Sequence, residues 1–146
     1  MRKARHNRIG FDQLSSHLVD LACSRVEEQG GFAPFAGCVA ADGKIKHLDV
    51  DAQTEPAQAL EELKNKIRTL GSEIGMVLVS TSIVDPRTST VTDAIVFTSE
   101  SSQGVMVRGF LPYQKTSGEV VFGKHYISPL AAFFSDSLDL PIFDAA

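Results

Sequence analysis

Between Met76 and Ile127 the chain reads as strand after strand with almost no room between them, and this sets how those strands must pair. Met76 to Val84 is an apolar, β-branched run, and Asp85-Pro86-Arg87 is a turn after it. Thr90 to Thr98 is the next run, Ser101 to Gly104 reverses the chain, and Val105 to Leu111 follows. A turn through Thr116-Ser117-Gly118 leads to a last strand from Glu119 to about Ile127. Parallel neighbours need crossovers of about a dozen residues or more, and these reversals are far shorter. An antiparallel sheet is therefore expected.

The first half supplies two helices and a hairpin. Phe11, Leu14, Leu18, Leu21, Ala22 and Val26 recur at helical spacing, so a helix is predicted from Phe11 to about Gln29, stopped by Gly30-Gly31. Arg25 borders its apolar face and is expected to snorkel outward or to meet a carboxylate. Two strand-like runs, Ala33 to Ala41 and Lys44 to Val50, flank Asp42-Gly43, which predicts a hairpin with a type I′ turn. Thr54 is the expected cap of a second helix that begins Glu55-Pro56. Leu60, Leu63, Ile67 and Leu70 form its apolar stripe; Glu61, Glu62, Lys64, Lys66 and Arg68 take the other faces, and Gly71 ends it. Ser128-Pro129 opens a short helix through Phe133-Phe134.

The element order is thus helix, hairpin, helix, three strands and a short C-terminal helix. It predicts an α+β fold with an about five-stranded, mainly antiparallel sheet packed in two layers against two amphipathic helices. A chain of 146 residues suits one domain, here 11–146, preceded by a basic flexible tail, 1–10. No apolar run is long enough to cross a membrane. Two cysteines do not make a disulfide scaffold, so a cytoplasmic, soluble protein is expected.

Charge excludes one class of partner. Four of the fourteen Lys and Arg residues fall in the first ten positions, leaving ten against eighteen Asp and Glu in the rest. Non-specific nucleic-acid binding comes from neutralising phosphates, which an acidic body opposes. The C-terminal segment holds seven large apolar residues between Leu130 and Phe143. Such side chains each gain about 1.5–3 kcal/mol on burial, so the segment is expected to dock on its own sheet or to cross to a second copy as a homodimer arm.

Phe35-Ala36-Gly37-Cys38-Val39-Ala40-Ala41-Asp42-Gly43, within the element order above, resembles roadblock-type (profilin-like) domains. That resemblance implies helices packed on a sheet and a dimer that serves as a binding platform. Pro34-Phe35-Ala36-Gly37, Asp42-Gly43, Thr92-Asp93-Ala94-Ile95 and Leu111-Pro112-Tyr113 are also similar to a family of uncharacterised bacterial proteins. Neither resemblance supplies a functional residue.

The familiar catalytic signatures are missing: no phosphate loop, no dinucleotide fingerprint, no zinc spacing, no nucleophile elbow, and so no expected cofactor or metal. Cys23 and Cys38 lie in apolar patterns without a basic partner and read as structural thiols. His6, His17, His47 and His125 are scattered; His47 and Asp49 share a strand face and read as a solvent-facing pair. The residues that interrupt apolar strands are Asp93, Glu100, Arg108 and Tyr113. Asp93, Arg108, Tyr113 and His125 form the candidate ligand-binding set on one sheet face; the plainer reading is the polar side of a one-sided sheet. Ser80 to Ser102 holds eleven Ser or Thr in 23 residues, first a sign of strand and then a possible polar lining.

Three functions follow as expectations. The leading one is a non-enzymatic binding or regulatory module acting as a homodimer, with a protein partner. The second is a small-molecule enzyme or ligand-binding domain using that polar set. The third is an acidic inhibitor or immunity protein for a basic target.

Overall fold

The computed structural model describes the backbone of residues 2–40, 42–51, 53–70, 73–85, 88–101, 106–124 and 126–128, and the side chains of these except 2–12, 106 and 126–128. The expected C-terminal helix, the apolar arm and His125 lie outside the described residues.

The elements in chain order are α1 (Arg2–Gln29), β1 (Phe35–Val39), β2 (Ile45–Asp49), α2 (Pro56–Thr69), β3 (Ile74–Val84), β4 (Val91–Ser101), β5 (Met106–Thr116), β6 (Glu119–Phe122) and β7 (Tyr126–Ser128). The predicted α+β class and antiparallel sheet are both observed. The sheet runs β2-β1-β3-β4-β5-β6, with β7 also paired to β5, so among the described residues it has seven strands against the about five predicted. The long-range pairing of β1 with β3, from Phe35↔Leu78 to Val39↔Ile74, joins the first hairpin to the later strands.

The helices occupy opposite faces, so the predicted two layers are three. Leu14, Leu18, Ala22 and Val26 of α1 pack with Phe35, Met76, Leu78, Ile95 and Phe97. Leu60, Leu63 and Ile67 of α2 pack with Ala36, Cys38, Val77, Val79 and Val96. Adjacent residues of β3 and β4 alternate between these cores, and both faces are buried. The sheet is therefore not the one-sided kind expected from its polar interruptions.

Local chemistry accounts for the ends of elements. α1 begins at Arg2 rather than Phe11, because the stretch before Phe11 holds Arg, Lys and Ala, good helix formers, and Gly10 is tolerated inside a helix at modest cost. The residues expected as a tail therefore continue α1. It ends where Gly30, at φ 81, donates its N–H to the Val26 carbonyl at 2.8 Å. The cap of α2 is Glu55 rather than Thr54, with Pro56 at the first helical position and no side-chain cap bond. Asp51 makes the preceding turn, accepting from the N–H groups of Gln53 and Thr54.

β1 and β2 form the predicted antiparallel hairpin around Asp42-Gly43, but its turn is not the two-residue type I′ turn expected. At Asp42-Gly43 only Gly43 has positive φ, and the link from Val39 to Ile45 is longer than two residues. Ser117 (φ 49) and Gly118 (φ 82) between Thr116 and Glu119 are the pair that meets the type I′ requirement. The expected last strand is split. β6 pairs residues 113–116 of β5 and β7 pairs residues 108–110, leaving Leu111 and Pro112 between them. Pro112 has no N–H to give a ladder, and its carbonyl accepts from Gly123 at 2.7 Å in the gap.

Candidate functional site

Asp93 and Tyr113 face one another as register partners of β4 and β5, on the face that α1 covers. Arg108 is paired with Thr98 on the opposite face, 1% exposed. The expected four-residue set is therefore not one site. Positions 108 and 113 of one strand differ by an odd number, and alternation sends their side chains to opposite sides.

Arg108 instead belongs to a buried charged group under α2. Glu100, 5% exposed, lies diagonally across the β4–β5 ladder from it, within reach of a long side chain. Lys64 joins them from α2, buried rather than on an outer face as expected, with Nζ 3.9 Å from Glu61 Oε2. Burial lowers the Lys64 pKa, Glu61 and Glu100 oppose that, and Arg68 and Arg108 reinforce it. The neighbouring Thr98 Oγ1 is buried without a hydrogen-bond partner among the described residues. Lys64 sits four residues after Leu60 and three before Ile67, so its burial was readable in the helical stripe.

A second polar group lies where α1 meets β2. The guanidinium of Arg25 lies 3.3 Å from Asp49 Oδ1 and 4.5 Å over the Phe35 ring, so the expected carboxylate partner is Asp49. His47 Nε2 is 3.3 Å from the same oxygen, and its ring meets Phe35 edge-on. On this outer edge of the sheet Lys66 also donates to the Asp49 carbonyl at 3.0 Å. The edge is thus short, charged and partly occupied, which discourages strand addition.

One open feature among the described residues is a cleft of about 360 Å³ between the ends of β4 and β5. β4 starts at Val91 and β5 runs to Thr116, yet their pairing stops at Asp93↔Tyr113. Outward of that pair, Val91 and Thr92 are held by β3 alone, and residues 114–116 by β6 alone. Each end is a two-stranded ribbon, and such ribbons twist more strongly than wider sheets, which draws the two apart. The cleft is lined by residues 91–93 and 113–116. Val91, 74% exposed, Asp93, Tyr113 and Lys115 share α1's face, while Thr92, Gln114 and Thr116 alternate to the other.

The closed end of the cleft is well supported. Asp93 Oδ1 accepts from the Ser82 hydroxyl at 3.1 Å. Burial pushes the Tyr113 pKa up, the Asp93 charge adds to this, and a hydrogen bond with Ser80 opposes it. Ser80 Oγ also accepts from the Phe32 N–H at 3.2 Å and donates to its carbonyl at 3.3 Å, tying the loop after α1 to β3. The Lys115 ammonium lies against Gly30 at the C-terminal, negative end of α1. Sequence reasoning found Asp93 and Tyr113 but missed Thr92, Gln114 and Lys115. The available signal was the strand-like stretch Tyr113 to Thr116, which continues past Pro112 into the Ser117-Gly118 turn.

Among the described residues no group of three His, Cys, Asp or Glu side chains could hold a metal, and no helix is long and apolar enough to cross a membrane. Comparison with protein-family models, curated proteins and solved structures gives no match.

Proposed function

We propose that this chain is a non-enzymatic binding module whose recognition surface is the cleft between β4 and β5. The carrying observation is the end of the β4–β5 register at Asp93↔Tyr113, which leaves main-chain edges of both strands facing an open space. Backbone donors and acceptors, hydroxyls and one charge of each sign line it, the equipment of a site that holds a polar ligand in one orientation. Its protonation chemistry favours holding over reacting. The Tyr113 hydroxyl is pushed away from neutral pH and stays a hydrogen-bonding group. The Cys23 thiol is likewise pushed up, to about 11, away from nucleophilic use. Two free cysteines fit a reducing compartment such as the cytoplasm.

Nuclear magnetic resonance titration of the ¹⁵N-labelled chain with a library of polar small molecules and short peptides tests this reading. Amide shifts are expected to concentrate at residues 91–93 and 113–116. Shifts centred on Arg25, His47 and Asp49 instead would move the site to the α1–β2 edge.

A further inference from the structure

We propose that the cleft receives the N-terminal end of an extended peptide, its α-ammonium at Asp93 and its backbone running outward between β4 and β5. This rests on the binding-module reading and names the ligand of the same cleft. Three observations carry it.

The walls are strand edges. Val91 and Thr92 on one side and residues 114–116 on the other are each paired on their outer side. Their inner main-chain groups alternate at strand spacing, and the ligand that repeats that spacing is another extended backbone. The outer edge at β2 is charged and braced by Lys66, so a strand adds more readily at the cleft than there.

The cleft is also blind. Beyond Asp93↔Tyr113 the two strands stay in register as far as Glu100↔Met106, so an inserted chain cannot pass through. It must end at the apex. The group there is the Asp93 carboxylate, held by Ser82 and in register with Tyr113. A terminal ammonium matches that apex, and a terminal carboxylate would be repelled by it.

Charge continues the match outward. Lys115 and Val91 flank the mouth on the same face as Asp93. A peptide with its ammonium at the apex and an acidic side chain two residues on meets Asp93 and Lys115 in order, with Val91 offering an exposed apolar wall.

The test uses the immobilised full chain and an equimolar pool of random-sequence heptapeptides, half with free and half with acetylated N-termini, the retained fraction being read by mass spectrometry. Free-amine peptides should be retained roughly tenfold or more over acetylated ones, as expected for a charge-assisted hydrogen bond. Acidic residues should be enriched near position three. Asp93→Asn should abolish the preference; Asp93 is exposed, so the fold is kept, which a thermal melt verifies. Equal retention of both pools, with amide shifts at residues 91–93, would overturn end recognition and leave the binding cleft standing. No retention of either pool would overturn the peptide proposal; shifts at the cleft with small polar molecules alone would then preserve the broader reading, and their absence would remove that as well.

Discussion

Ile67 of α2 lies directly on Gly75 of β3: a Cβ at position 75 would stand 2.8 Å from Ile67 Cγ2. On the other face Leu18 of α1 lies on Gly37 of β1 in the same way, 2.7 Å from where a Cβ would be. Both helix residues are fully buried, so neither can swing out to make room. Gly75→Ala and Gly37→Ala are each expected to cost about 1–3 kcal/mol through overpacking, measured by urea unfolding. Unchanged midpoints would show that the helices stand farther from the sheet.

The Lys64, Glu100 and Arg108 group should respond unequally to removal of its members. Glu100→Gln takes a buried anion from beside two cations and is expected to cost about 3–5 kcal/mol. Lys64→Met leaves Arg108 facing Glu100 and should cost less than about 1 kcal/mol, or stabilise. Burial holds Lys64 below its ordinary value of 10.5. Between the lowered value and 10.5 the unfolded chain binds the extra proton, so this lysine's contribution makes stability rise with pH across that window. Lys64→Met should remove that rise in unfolding curves taken from neutral to alkaline pH.

The two thiols should be inert near neutral pH. Burial, with Asp20 and Glu27 adding to it, pushes Cys23 up to about 11, and Cys38 is fully buried. Labelling of Cys23 should therefore accelerate about tenfold per pH unit until it levels near 11. Cys38 should label only as fast as the protein opens. Rapid stoichiometric modification of either at pH 7 would contradict this.

Antiparallel pairing in the second half was legible because the reversals between its strands are too short for crossovers. The side of the sheet taken by each helix was harder to read. Periodicity shows which side of a helix is apolar, not which side of the sheet it meets. A clue was present in Met76-Val77-Leu78-Val79 and Ala94-Ile95-Val96-Phe97, where consecutive apolar residues require cover on both faces. The candidate set failed on one boundary. β5 continues past Leu111 to Thr116, so Arg108 and Tyr113 lie on one strand and alternation sends them to opposite faces. The partners of Arg108 and Arg25 depend on register and tertiary packing, which no local pattern encodes. Strand lengths and the Ser117-Gly118 turn decide the cleft itself, which becomes visible only when both hairpins are in place.

The parting of β4 from β5 beyond Asp93 and Tyr113 is the geometric basis of the proposed site, and cross-strand nuclear Overhauser contacts in the labelled full chain test it most directly. Contacts are predicted between Ala94 and Pro112 and between Asp93 and Tyr113, and none between Thr92 and Gln114 or Val91 and Lys115. An unbroken ladder of contacts running out to Val91 and Lys115 would close the cleft and contradict the account.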